Sequence, residues 1–201
     1  MERDSRIFVA GHRGLIGGAL LRRLRADGYR ALITRERSAL DLTDAAQVDR
    51  FFTVERPEYV FLAAGKVGGI EANRTAPAEF IHANLAMQTA VIHAAGMHGV
   101  RRLVFFGSAC MYPLSCAQPM AEDALFTGVV EPTSDAYAVA KLVGLKMCEA
   151  YNRQYGTSFI TVIPASVYGP NDHFDVRDAH VLAALLKKCH DAKVLGGTAA
   201  A

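Results

Sequence analysis

A doubly wound α/β domain, with a parallel sheet covered by helices on both faces, is what this sequence predicts. Two observations carry that expectation. Short β-rich apolar runs alternate with longer stretches of helical periodicity, and a glycine-rich turn joins the first apolar run to the first helical one. Parallel strands need right-handed crossovers, so strand and helix must alternate as they do here.

The first strand is read over Arg6 to Ala10, and it runs into a helix over Leu15 to Ala26 that Gly28 ends. Ala31 to Thr34 reads as the second strand, and Asp44 to Val54 as the second helix, with Thr43 available to cap it. Tyr59 to Leu62 is the third strand, followed by the long helical pattern Ala78 to Met97 and a stop at Gly99. Leu103 to Phe106 is the fourth strand. Asp135 to Tyr155, with Ser134 as its cap and Gly156 as its stop, leads to a fifth strand over Phe159 to Ile163. In such a sheet, ligands lie beyond the carboxyl ends of the strands. Function is therefore expected after Ala10, Thr34, Leu62, Phe106 and Ile163.

Composition narrows the class. An apolar content of 51% over 201 residues allows a substantial core. Lys and Arg number 22 against 20 Asp and Glu, with no basic run, so a nucleic-acid partner is not expected. Met1 to Arg6 is mostly charged and no apolar run approaches ~20 residues, so neither a signal peptide nor a membrane span is expected, and the location is read as cytoplasmic. Cys110, Cys116, Cys148 and Cys189 are widely spaced and no histidines cluster at zinc spacing. Free thiols and no metal follow.

After the first strand comes Gly11-His12-Arg13-Gly14-Leu15-Ile16-Gly17. Glycines there let backbone N–H groups approach a pyrophosphate, whose charge the positive end of the following helix favours. The segment after the second strand reads Thr34-Arg35-Glu36-Arg37. Guanidinium groups of Arg13 and of Arg35 or Arg37 suit a 2′-phosphate, which makes NADP the expected cofactor; as solvated surface charges the same arginines would carry no such meaning.

Ser108 follows the fourth strand, while Tyr137 and Lys141 are four residues apart on a helix and share a face. An ammonium beside a phenol of reference pKa ~10 is expected to draw it toward working pH. The serine can hold a carbonyl to which the tyrosine gives its proton during hydride transfer.

Together with Leu40-Asp41-Leu42, Lys66-Val67-Gly68-Gly69-Ile70, Gly107-Ser108-Ala109-Cys110-Met111-Tyr112-Pro113, Tyr151-Asn152-Arg153-Gln154-Tyr155-Gly156 and Tyr168-Gly169-Pro170, these motifs resemble the extended short-chain dehydrogenase/reductases, and within them the GDP-L-fucose synthase family. The resemblance implies a Rossmann fold with an NADP-binding domain over 1–170 and the start of a substrate-binding region over 171–201. It fades near Ala192, which implies that most of a carboxyl-terminal domain is missing. The family reaction epimerises C3 and C5 of GDP-4-keto-6-deoxy-D-mannose and then reduces C4 with NADPH. Carried over residue by residue, the catalytic set is Ser108, Cys110, Tyr137, Lys141 and His180, where Cys110 and His180 move the protons of epimerisation. Read alone, Cys110 is a small packing residue and His180 an ordinary helix-start histidine.

The implied cofactor contacts are Gly11, His12, Arg13, Gly14, Leu15, Ile16, Gly17, Arg35, Arg37, Asp41, Leu42, Ala63, Ala64, Pro164, Ala165 and Ser166, besides Tyr137 and Lys141. A homodimer through the Ala78–Met97 and Asp135–Tyr155 helices is also implied. The sequence departs from the family at Ala109, which stands for a second serine, and at Ser166, which stands for an asparagine that helps hold the sugar nucleotide; Ala179 and Ala183 replace a serine and a proline. Two alternatives stay open: another nucleotide-sugar epimerase, reductase or dehydratase, and a non-catalytic NADP-binding protein.

Overall fold

The structure, a computed structural model, describes residues 1–175 and 179–196. Residues 176–178 and 197–201, which belong to the 171–201 segment, lie outside the described residues. Five strands, β1 (Ile7–Ala10), β2 (Leu32–Ile33), β3 (Tyr59–Leu62), β4 (Arg102–Phe106) and β5 (Phe159–Val162), form one parallel sheet in the order β2-β1-β3-β4-β5. All five lie inside or within one residue of the segments expected from the sequence.

The crossovers are α1 (Leu15–Ala26), α2 (Ala45–Glu55), α3 (Ile70–Thr75) with α4 (Pro77–Met97), and α5 (Asp135–Tyr155); α6 (Val181–Leu195) follows β5. Passing from β1 to β2 the chain moves one way across the sheet, and from β2 through β5 it moves back. With right-handed connections this sends α1 to one face and α2, α4 and α5 to the other. The core follows that division. Phe8, Val60, Leu62, Leu103, Phe105 and Phe159 point at Phe52, Val91, Ala95 and Cys148 of the three-helix layer, whereas Ile7 and Val9 pack under Leu24 of α1. Helix α4 is apolar on nearly every side because α2 and α5 flank it.

Cover on the α1 face is uneven. Tyr59, Phe61, Val104 and Ile160 line a shallow depression of about 480 Å³ on β3, β4 and β5, and Ile160 and Val162 are 46% and 40% exposed. Stability should mirror this asymmetry. In a urea titration Leu103→Ala, at a fully buried position, is expected to cost about 2–5 kcal/mol, and Ile160→Ala less than about 1 kcal/mol.

Helix ends depart from expectation in one instructive place. Asp44, not Thr43, caps α2: its carboxylate accepts from the N–H groups of Ala46 and Gln47, while the Thr43 hydroxyl donates to Asp41 at 2.7 Å. Ser134 occupies the cap position of α5 without a side-chain capping bond. Gly28, Gly99 and Gly156 stop helices in the left-handed region, at φ of 83°, 69° and 67°.

Candidate functional site

Strands β1 and β3 are neighbours whose crossovers leave toward opposite faces, so a crevice opens beyond their carboxyl ends. The glycine turn occupies it. Gly11 has φ +80°, and a Cβ there would lie 2.7 Å from the Ala64 nitrogen and 2.8 Å from the Ala63 carbonyl. A Cβ on Gly17 would lie 2.2 Å from the Gly11 oxygen. The turn, the first turn of α1 and the Ala63–Ala64 segment are therefore in backbone contact, which only glycine permits. No side chain caps α1 at Gly14, and its first-turn N–H groups are left to hold an anion.

The expected cations are distributed unequally. Arg13 is exposed and pairs with Glu36 at 2.8 Å. Arg35 turns toward α2, where it pairs with Glu55, donates to the Thr34 carbonyl at 2.8 Å and lies 5.7 Å from the Phe51 ring centre. Arg37 is exposed and acts on Asp41. Asp41 accepts from the backbone and hydroxyl of Thr43, bonds that hold its carboxyl below the usual range. Leu42 packs against the core beside it.

The second group of residues gathers at the end of β4. Ser108 opens a short 3-10 turn, Ala109–Met111, with its Oγ accepting from the Cys110 N–H at 3.3 Å and its own N–H directed at the Met111 sulfur at 3.2 Å. Tyr137, on the first turns of α5, lies close enough to Ser108 and Cys110 for both to act on its phenol. Lys141, one turn on, is 4% exposed. Its Nζ donates to the Phe106 carbonyl at 2.9 Å, lies 4.9 Å from the Phe105 ring centre and 5.8 Å from that of Tyr137. Ser108, Cys110, Tyr137 and Lys141 thus share one cluster.

That cluster corrects one expectation. Burial first and Cys110 second push the Tyr137 phenol up to about 12, against a smaller lowering by Ser108. Burial pushes the Lys141 ammonium down to about 8. The lysine is bonded to a backbone carbonyl rather than to the phenol oxygen, so the tyrosine is a firmly neutral acid instead of one drawn toward ionisation.

Asn84, which the sequence reading passed over, holds the third side of the site. Its Oδ1 accepts from Lys66 N–H at 3.0 Å, and its Nδ2 donates to the carbonyls of Lys66 and Phe80 at 2.9 and 2.8 Å. Gly65 is thereby fixed where a Cβ would be 3.6 Å from Lys141 Nζ, tying the segment after β3 to the lysine. An asparagine inside the apolar α4 pattern was the signal available. Phe80 sets the Tyr137 ring edge-on, 6.4 Å between centroids.

Pro164 is half-buried, and Ala165 and Ser166 are exposed, just beyond β5. His180 stands at the amino-terminal cap of α6 with its residue exposed, and no hydrogen bond joins it to the Ser108 cluster among the described residues. Cys148 is buried, Cys116 partly so and Cys189 exposed, all as free thiols. Among the described residues, no three His, Cys, Asp or Glu side chains are grouped to hold a metal, and no helix is long and apolar enough to cross a membrane.

The model of the NAD dependent epimerase/dehydratase family matches residues 7–200. The chain is 51% identical over 193 residues to a putative GDP-L-fucose synthase 2 of Arabidopsis thaliana, an alignment covering 96% of this chain and 59% of that protein. A GDP-6-OMe-4-keto-L-xylo-heptose reductase from C. jejuni superposes with a TM-score of 0.93 at 44% identity, over 97% of this chain and 56% of the other. A GDP-L-fucose synthetase from Naegleria fowleri bound to NADP gives a TM-score of 0.92 at 28% identity, over 100% and 66%. The chain spans 59% of the length of its Arabidopsis relative.

Proposed function

Since the chain belongs to the NAD dependent epimerase/dehydratase family, we propose that it carries the NADPH site and the proton-transfer residues of an enzyme that converts GDP-4-keto-6-deoxy-D-mannose to GDP-L-fucose. The observation that supports this most is the joining of Ser108, Tyr137 and Lys141 in one cluster at the end of β4, at the same sheet edge as the glycine turn. The resemblance to GDP-L-fucose synthases supports the choice of substrate.

NADPH suits the crevice: the uncapped start of α1 and the Gly11–Gly17 cradle take the pyrophosphate, and Arg13 takes a 2′-phosphate. When bound, the nicotinamide supplies the hydride. Ser108 orients the C4 carbonyl by donating a hydrogen bond to it. Tyr137 gives the oxygen its proton, and the Lys141 ammonium, 5.8 Å from the ring centre, offsets the phenolate charge that results. The C4 ketone acidifies the C3 and C5 protons, and Cys110, within electrostatic reach of Tyr137, serves with His180 to remove and return them. In this reading residues 1–170 form the cofactor domain and 171–201 begin the substrate region. The protein works in the cytoplasm, as a homodimer packed through α4 and α5, where Val139 and Val143 lie exposed one turn apart.

A second reading, a C4 reductase of another GDP-sugar that does not epimerise, is favoured by the exposed His180 and by the likeness to the heptose reductase. One assay separates the readings. The purified 201-residue chain is incubated in deuterium oxide with NADPH and either GDP-4-keto-6-deoxy-D-mannose, other GDP-linked 4-keto sugars, or UDP-, CDP- and dTDP-linked 4-keto sugars. NADPH oxidation selective for the GDP-mannose derivative, with deuterium at C3 and C5 of the product, is the expected outcome. Oxidation without deuterium at either carbon selects the plain reductase, and no turnover of any 4-keto sugar leaves a dinucleotide-binding chain without catalysis.

A further inference from the structure

We propose that Glu36 sets how strongly this chain prefers a 2′-phosphorylated dinucleotide over its unphosphorylated counterpart, by holding Arg13 and by occupying the place that the 2′ substituent must enter. The inference rests on the NADPH reading above and concerns the selectivity of that same site.

Glu36 and Arg13 come from the ends of two neighbouring strands, the segment after β2 and the turn after β1. One carboxylate oxygen accepts from the Arg13 guanidinium at 2.8 Å, and the other lies 3.7 Å from His12 Nε2. The guanidinium beside it holds the Glu36 carboxyl below its usual range, so the charge is present across the neutral pH range. A carboxylate after the second strand is the group that binds ribose hydroxyls where the 2′-phosphate is absent, and a phosphate dianion brought to the same place meets repulsion. Arg13 is thus available to a 2′-phosphate only in competition with Glu36.

Neither cation flanking Glu36 pairs with it among the described residues, and Arg37 is exposed and acts on Asp41 instead. Arg35 is engaged by Glu55 and the Thr34 carbonyl, beside the Phe51 ring. Both members of the Arg13–Glu36 pair are well exposed, at 76% and 52% of the side chain. Their attraction is therefore weak enough for a ligand to break, and the balance is a graded preference rather than a block. The chain should accept NADH measurably, with Glu36 supporting it.

The test is a pair of binding titrations, NADPH and NADH, on the full chain and two variants at low ionic strength. Glu36→Gln removes the charge at nearly constant shape and is expected to raise the NADPH-over-NADH affinity ratio about fivefold, mostly through tighter NADPH. Glu36→Asp keeps the charge and should keep the ratio within twofold of the parent. The effect of Glu36→Gln should shrink in about 0.5 M salt, as a loss of packing would not. An unchanged ratio in Glu36→Gln, or an equal change in Glu36→Asp, overturns the inference and leaves the NADPH reading standing. Failure of the unaltered chain to bind either dinucleotide overturns both.

Discussion

Tyr137→Phe is expected to lower NADPH oxidation by about 10²- to 10⁴-fold, the range over which a positioned general acid contributes, while leaving the fold intact. The substitution removes one oxygen. The ring keeps its edge-on contact with Phe80, and the α5 turn that carries it packs through Ala138, Leu142 and Leu145, which the change does not touch. What disappears is a proton that the site holds firmly: burial and the nearby Cys110 put the phenol at about 12, against a smaller opposing effect of Ser108. At pH 7 such a group is a full-time donor, which suits a reaction whose oxygen must be protonated as hydride arrives. Deuterium entry at C3 and C5 does not need the phenol's proton in this scheme and should persist. Cys110→Ser should do the reverse, sparing reduction of a keto sugar already in the product configuration and suppressing exchange. Exchange at the parental rate in Cys110→Ser removes the cysteine from the mechanism, and undiminished NADPH oxidation by Tyr137→Phe removes the tyrosine.

How far the site could be read from the sequence depended on whether its residues act locally or across the sheet. The glycine turn was legible because its constraint is local: a strand, a positive φ at Gly11 and a helix start are written in consecutive residues. Ser108, Tyr137 and Lys141 were legible because a strand end and an i, i+4 helix pair fix their directions. Glu36 lies 23 residues from Arg13, and its carboxylate reaches the turn only because β2 pairs with β1. Periodicity carries no trace of such a pairing. The Arg35 guanidinium was expected in the cofactor crevice, but a nearer acid on α2, Glu55, engages it. Asn84 illustrates the same limit, since its amide serves the backbone of Lys66, 18 residues away. The cap of α2 was missed by one residue because Asp41, Thr43 and Asp44 are all competent acceptors, and Asp41 engages the threonine first. The phenol's ionisation was misread for a physical reason: spacing places an ammonium near a ring but says nothing of burial, and burial dominates here.

That dominance by burial gives Lys141→Met two opposite consequences, a loss of catalysis and a gain in stability. At 4% exposure the ammonium has lost its water, and its folded pKa falls to about 8 from 10.5. Below pH 8 both folded and unfolded chains carry the proton, and the folded one bears the cost of burying it. Between pH 8 and 10.5 the unfolded chain binds the proton more strongly, so this residue makes stability rise with pH. Methionine removes the burial cost at neutral pH, although the Phe106 carbonyl loses the donor it has at 2.9 Å. The depression is worth roughly 3 kcal/mol, the lost bond about 1 to 2, and the variant should be more stable at pH 7 by roughly 1–2 kcal/mol. Cys148 opposes the trend above pH 9, because burial raises its thiol to about 11. The quantity to follow is therefore the difference between variant and parent in urea denaturation from pH 7 to 10, in which the cysteine cancels. That difference should shrink steadily above pH 8. Turnover should meanwhile fall by about 10²- to 10³-fold, since in the proposed mechanism no charge would remain to offset the phenolate when Tyr137 gives up its proton. A variant less stable than the parent at pH 7 would mean that the Phe106 bond outweighs the buried charge. A variant with undiminished turnover would remove the ammonium from the chemistry.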